Sequence, residues 1–179
     1  MRRLALIVLL AVLLPVGFAA AQAPKPAPKA PSIVVAMETG GEFTMELWPD
    51  VAPHHVKNFV DLAGTGFYDG QRVHRVEPRF VVQFGDPQSK TLPMNDPKMG
   101  TGGSDKKIKA EFNKRPFVRG VLGMARTSDP DSASSQVYVM TGDAPSLNGQ
   151  YTAFGKVTKG MDVVDRIKVG DRIKSVKVQ

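Results

Sequence analysis

From Ser32 onward the apolar and polar positions follow two different rhythms. In "SIVVAME" and "EFTMELW" the period is two, with Phe43, Met45 and Leu47 alternating with polar partners. That period predicts half-buried strands, and Thr39-Gly40-Gly41 between them predicts a hairpin turn. Over "DVAPHHVKNFVDLAGTGFYDG" the rhythm changes: Val56, Phe59, Val60, Leu62 and Ala63 recur at helical spacing, with Pro53 near the first turn and Gly64 at the end. This predicts a helix laid over a sheet. "VHRVEPRFVVQFGDP" returns to two strand-like runs that meet at Glu77-Pro78, and Asp86 to Lys107, with "GTGGSD" inside it, has neither period and is read as a loop. "RGVLGMA", "SQVYVMT" and "YTAFGKV" are further strands, separated by "RTSDPDSAS" and "GDAPSLNGQ", both dense in turn formers. "GMDVVDRIKVG" predicts a second amphipathic helix, and "DRIKSVKVQ" a last strand. Seven or eight short strands, two helices and no internal repeat predict a mainly β fold, a closed antiparallel barrel capped by the helices, in which closure hides the sheet edges.

Ahead of this domain the pattern is of another kind. Arg2 and Arg3 precede the apolar run "LALIVLLAVLLPVGFAA", and Ala19-Ala20-Ala21 supplies a small-residue exit. This predicts a signal peptide over 1–21, cleaved after Ala21, and an exported chain, periplasmic or secreted, with no stable membrane association after cleavage. "PKPAPKAPS" then alternates proline with lysine and alanine, so 22–31 is read as an extended linker and 32–179 as the folded domain.

Composition removes several kinds of chemistry. With no cysteine there is no disulfide, thiolate zinc site or cysteine nucleophile. Of the three histidines, His54 and His55 are adjacent and point about 100° apart on a helix, so they are read as a solvated or loosely packed pair and not as metal ligands. Asp129 and Asp131 are read as turn residues, because a calcium loop needs more oxygen ligands. The formal charge of +7 falls to +5 once Arg2 and Arg3 are removed, and the basic residues are scattered without aromatic interleaving, so no nucleic-acid partner is expected. "GTGG" lacks the strand and the lysine of a phosphate loop. What remains is a set of apolar strands in which Arg75 and Gln83 sit among apolar neighbours, where they either lie on a solvated face or serve a pocket.

"VHRVEPRFVVQFGDP", "GTGG", "GVLGMARTSDPDSASSQVYVMT" and "NGQYTAFGKVTKGMDVVDRI" resemble the successive signature blocks of the cyclophilin-type peptidyl-prolyl isomerases, in their order and near their usual spacing, over Ser32 to Gln179. The resemblance implies an eight-stranded antiparallel barrel with a helix at each end, and catalysis of rotation about X-Pro bonds without metal, nucleotide or redox cofactor. It implies Arg75 as the catalytic residue. Phe80, Val81, Tyr138 and Leu147 line the proline pocket in this reading, Gln83 orients Arg75, His74 lies at the margin, and Met124, Ala125, Gln136 and Tyr151 flank the groove. By strand alternation Val81 and Gln83 share one face, so Phe80 reaches the pocket only through a twist or bulge near Pro78-Arg79.

The chain departs from the family pattern at several positions. Val81 stands where many members have methionine, Tyr138 where phenylalanine is common, and Phe84 in place of the first glycine of Q-G-G-D; Arg126 replaces an asparagine of some relatives and adds charge beside the groove. Ser146 takes the place of a tryptophan found in cyclosporin-sensitive members, so high-affinity cyclosporin binding is not expected. The loop containing Met94 to Lys98 is longer than in compact members. The expected partners are proline-containing polypeptides, the expected role is assistance to folding, and the expected state is a monomer. The alternative from another class is a non-catalytic proline-binding module or holdase using the same groove.

Overall fold

β1 (Ser32–Met37) and β2 (Glu42–Leu47) form the predicted hairpin in the computed structural model, which describes residues 30–179. The signal peptide, and all of the linker except Ala30 and Pro31, lie outside the described residues. In both strands every second residue is buried, which places Ile33, Val35, Phe43, Met45 and Leu47 in one core. α1 (Pro53–Gly64) buries Val56, Phe59 and Ala63. β3 (Arg75–Glu77) and β4 (Val81–Phe84) are the two halves of the proline-split segment. β5 (Val121–Met124), β6 (Val137–Met140) and β7 (Ala153–Lys159) follow, then α2 (Met161–Arg166) and β8 (Ile173–Val178).

All pairings are antiparallel, in the order β3-β4-β6-β5-β7-β2-β1-β8. This corrects the expectation of a closed barrel: the ladder is an open eight-stranded sheet with β3 and β8 at its ends. The backbone shows why. His74 donates to Gln83 in the β4 ladder, whereas the N–H of Val73, one residue earlier, donates to Asp171. The chain changes partner at that point, and only the isolated bridge Arg72↔Arg172 and its neighbouring hydrogen bonds span the gap.

The main core lies on one face of the sheet, where Phe59 meets Tyr68 and Phe154 at ring-centroid distances of 5.1 and 5.7 Å. A second buried cluster, which includes Trp48, Phe117, Tyr138 and Met140, lies on the opposite face of β4, β5 and β6. These strands are therefore covered on both sides, so β5 and β6 are buried at every position and read as continuous apolar runs.

The start of α1 overturns one expectation. Ala52, at the N-cap, has no side-chain oxygen, and the carboxylate of Glu111 caps the helix from 56 residues away, accepting from the N–H of His54 (3.1 Å), the N–H of His55 (3.0 Å) and His55 Nδ1 (2.6 Å). His55 is thus buried and bonded, not solvated, while His54 is exposed. Burial lowers the pKa of His55 against the opposing pull of Glu111, so a neutral imidazole donates its Nδ1 proton to a carboxylate. Burial works against ionisation of Glu111, but the His55 ring and the two amides outweigh it and lower its pKa. In both groups the unfolded state binds the proton more tightly, so stability is held at higher pH and lost in acid. The unfolding temperature is expected to fall as pH drops below the ordinary histidine value of 6.5, with a second decline below the ordinary glutamate value of 4.5. Glu111→Ala should cost about 2 kcal/mol at neutral pH by loss of the cap, and should remove the second decline; thermal melts across pH measure both.

Candidate functional site

The site is built on the sheet face turned away from the main core. The strand registers align Arg75 of β3 with Gln83 of β4, Gln83 with Tyr138 of β6, and Tyr138 with Gly123 of β5. Four neighbouring strands thus present one row of side chains: a guanidinium, an amide, a phenol ring and a gap. The gap is needed, because a Cβ at Gly123 would lie 2.3 Å from Cζ of Tyr138 and 2.5 Å from its hydroxyl. The absent side chain lets the ring lie down across β5.

Above this row is a slot of about 160 Å³ lined by Arg75, Phe80, Val81, Gln83, Ala125, Arg126, Tyr138, Leu147 and Tyr151. Phe80 enters through the turn. Among the described residues Arg79 is the sole non-glycine at positive φ, 57°, and it occupies the third position of a Glu77–Phe80 turn closed by Phe80 N–H to Glu77 O at 3.0 Å, with Pro78 in the second position. The twist required near Pro78-Arg79 is this residue. Gly142 allows the turn to pack, since a Cβ there would meet Arg79 O at 2.2 Å. Leu147 comes from the short 3-10 turn Pro145–Leu147, and the Tyr151 ring stands edge-on to Tyr138 at 6.2 Å. Burial holds the Tyr138 hydroxyl far above the ordinary phenol pKa, so the wall stays uncharged; that hydroxyl has no hydrogen-bond partner among the described residues.

A chain of hydrogen bonds fixes the polar end. Arg75 Nη1 donates to Gln83 Oε1 (3.2 Å), Gln83 Nε2 donates to Gln136 Oε1 (2.9 Å), and Gln136 Nε2 donates to the carbonyls of Gly100 (2.8 Å) and Gly102 (2.7 Å). The far end of the chain is held by buried Asp86, whose Oδ2 accepts from the N–H groups of Gly100 (2.6 Å) and Gly102 (3.3 Å). Arg75 also lies 5.6 Å from the centre of the Phe80 ring and 3.7 Å from Glu77. Its remaining N–H groups project at the mouth of an apolar slot, an arrangement able to donate to a weakly basic atom of an apolar ligand.

One expected site residue lies elsewhere, and two are set back beside the slot. Met124 does not flank the groove: alternation along β5 turns Val121 and Gly123 outward and Leu122 and Met124 into the main core. His74 packs behind the wall, its ring 3.4 Å from where a Cβ of Gly100 would be; both ring nitrogens are buried without a partner among the described residues, and burial lowers its pKa. Gln136 holds the hydrogen-bond chain and faces an adjoining cavity. Sequence reasoning missed Gly123, which only the register reveals. It also missed Asp86, although Asp-Pro at a 3-10 start is a capping signature. A larger hollow of about 550 Å³ lies between the β1–β2 turn and α2; its Asp165 and Arg166 are paired to Arg119 and Asp162, and nothing there repeats the chemistry of the row.

Comparison with known proteins gives relatives in sequence and in fold. The family model for "Cyclophilin type peptidyl-prolyl cis-trans isomerase/CLD" matches residues 34–179. A probable peptidyl-prolyl cis-trans isomerase of Brucella suis is 46% identical over 142 residues, covering 78% of this chain and 72% of that one. Peptidyl-prolyl cis-trans isomerase B of Bacillus subtilis is 39% identical over 145 residues, 80% of this chain and 94% of its own. In fold the chain is similar to the crystal structure of a cyclophilin-type isomerase of Cryptosporidium parvum, with a TM-score of 0.73 at 24% identity, covering 84% of this chain and 98% of that one. The same parasite protein in the presence of the dipeptide Ala-Pro gives a TM-score of 0.70, covering 83% and 98%.

Proposed function

The chain belongs to the cyclophilin-type peptidyl-prolyl cis-trans isomerase family, and from that premise we propose that it turns over X-Pro bonds of exported polypeptides during their folding, with Arg75 as the catalytic residue. The observation that carries this reading is the Arg75–Gln83–Tyr138–Gly123 row beneath an apolar slot.

The uncatalysed bond has a rotation barrier of about 18–20 kcal/mol, because the prolyl nitrogen lone pair is conjugated with the carbonyl. Twisting the amide frees that lone pair to accept a hydrogen bond. The slot seats the proline ring against Phe80, Val81, Tyr138 and Leu147, with Tyr151 at the rim. Arg75, oriented by Gln83, donates to the nitrogen in the twisted state and has little to donate to in the planar one. Binding the transition state better than the ground state lowers the barrier with no covalent step. A guanidinium suits this task because it is charged at every working pH and offers several donors.

Export rests on the signal-like N-terminal pattern, and a periplasmic or secreted location follows from it. No helix among the described residues is long and apolar enough to cross a membrane. A monomer is expected, with both sheet ends held by the Arg72↔Arg172 bridge, and light scattering reads this directly. Ser146, exposed on the 3-10 turn, leaves the rim without the indole that cyclosporin-sensitive relatives offer.

The test is exchange of a cis X-Pro peptide with purified residues 22–179. Acceleration over the uncatalysed rate is expected. A protein that binds the peptide and leaves the rate unchanged would be a proline-binding module or holdase. Gln136→Leu tests the orienting chain from a distance: it frees Gln83 and, through it, Arg75, so kcat/KM is expected to fall about tenfold, the equivalent of one well-made hydrogen bond.

A further inference from the structure

A second cavity of about 280 Å³ adjoins the proline slot and shares Gln83, Ala125 and Arg126 with it. Its remaining walls are rich in hydroxyls, from Thr101, Thr127, Ser132 and Ser134, and Lys107 adds a second cation beside Arg126. None of its lining residues is acidic. The Arg126 guanidinium lies 4.4 Å from the centre of the Tyr151 ring and donates to the carbonyls of Gln150 (2.9 Å) and Thr127 (2.8 Å), so it is fixed in place by neutral groups alone. Arg115, Arg119, Arg166 and Arg172 each have a carboxylate within 4.0 Å; among the described residues neither Arg126 nor Lys107 has one. The nearest buried acid behind the wall, Asp86, spends its oxygens on the amides of Gly100, Gly102 and Gln88. A positioned arginine and an exposed lysine, uncompensated at the edge of a hydroxyl-lined hollow, form a receptor for an anion.

We propose that this cavity selects substrates that carry an aspartate or glutamate close to the isomerised proline, with Arg126 and Lys107 receiving the carboxylate. The inference rests on the isomerase reading above. The shared wall residues make the occupant a continuation of the peptide whose proline fills the slot, which argues for a side-chain carboxylate and not for a free anion. The chain's own linker, "PKPAPKAPS", has lysines beside its prolines. The same charges that favour acidic clients disfavour that linker, which limits self-capture by the exported protein.

The test uses the protein recovered from an exporting host and X-Pro peptides of one length with Glu, Gln or Lys placed in turn at the two positions on either side of the proline. At one position or more, kcat/KM for Glu is expected to exceed that for Gln by about fivefold and that for Lys by more, as suits a half-exposed charge pair. The advantage should shrink at high salt, because the screening length falls from about 8 Å at physiological ionic strength to about 3 Å at 1 M. Lys107→Gln with Arg126→Gln should bring the Glu-to-Gln ratio close to one, and Lys107→Glu alone, at an exposed position, should turn the preference toward Lys. Equal kcat/KM for Glu, Gln and Lys peptides at every position, or a Glu advantage that survives the double substitution, overturns the proposal. Absence of turnover with every peptide overturns the isomerase reading instead, and titration of Glu against Gln peptides then decides the cavity's preference from affinity alone.

Discussion

Arg75→Ala is expected to lower kcat/KM by about 10²–10³-fold, the loss seen when a donor aimed at transition-state charge is removed. The loss should fall on kcat, with KM near its wild-type value, because in the proposed mechanism the guanidinium engages a nitrogen that becomes basic only as the amide twists. The slot walls Phe80, Val81, Tyr138 and Leu147, which the proposed reading assigns to the proline ring, are left in place by the substitution. Stability should barely change. The Arg75 side chain is 45% exposed, its ion pair with Glu77 is 3.7 Å long and equally solvated, and such pairs are worth about 0–1 kcal/mol. Arg75→Lys discriminates further. A lysine keeps the charge but loses the planar fork that lets one edge bond to Gln83 while the other faces the slot, so it should recover little of the activity. A stopped-flow or NMR exchange assay with a melting curve separates these outcomes. An Arg75→Ala protein that isomerises at the wild-type rate would refute the catalytic assignment, and one that melts early would show that the arginine is structural.

Much of the framework was legible in the chain because local periodicity and tertiary burial agree there. The β1–β2 hairpin and α1 each have one covered face, so hydrophobicity alternates with the period of the element. The centre of the site was less legible for the same reason in reverse. β5 and β6 are covered on both faces, which erases alternation as a guide to facing and hides the opposition of Gly123 and Tyr138. The placing of Met124 beside the groove came from family resemblance, and strand geometry overrules it by turning that side chain into the main core. Contacts between residues far apart in sequence were also silent: nothing near His55 announces Glu111, and nothing near Arg126 announces that the carbonyl of Gln150 and the ring of Tyr151 will fix it. The open ends of the sheet depend on a partner change at a single residue, between Val73 and His74, which no windowed pattern resolves.

The largest effect on stability is expected at the end of the segment that also carries Arg75. Phe84 stands where the family pattern has a glycine, and the structure gives the substitution a home: alternation turns Phe84 away from Gln83 into the main core, where its ring meets Tyr68 edge-on at 6.0 Å. The close backbone approach belongs to the next residue. Gly85 has φ of 106°, and a Cβ there would lie 2.3 Å from Ser135 O and 2.8 Å from Gln136 Cα. Gly85→Ala therefore combines two costs, a left-handed backbone strain of about 1–3 kcal/mol and an overpacking cost of about 1–3 kcal/mol, with no flexible side chain available to yield. A loss of about 3 kcal/mol or more is expected, which for a domain of this size is a fall of about 6–12 °C in melting temperature. The clash also presses on Gln136, the link that holds Gln83 and Arg75, so the soluble fraction of Gly85→Ala should isomerise more slowly than wild type even well below its melting point. Phe84→Gly restores the family residue and should not help, since it empties a fully buried aromatic site at a cost of about 3–5 kcal/mol. If Gly85→Ala melts with the wild type, the β4–β6 contact is looser than this geometry allows; if Phe84→Gly melts with the wild type, the phenyl ring is not part of the core.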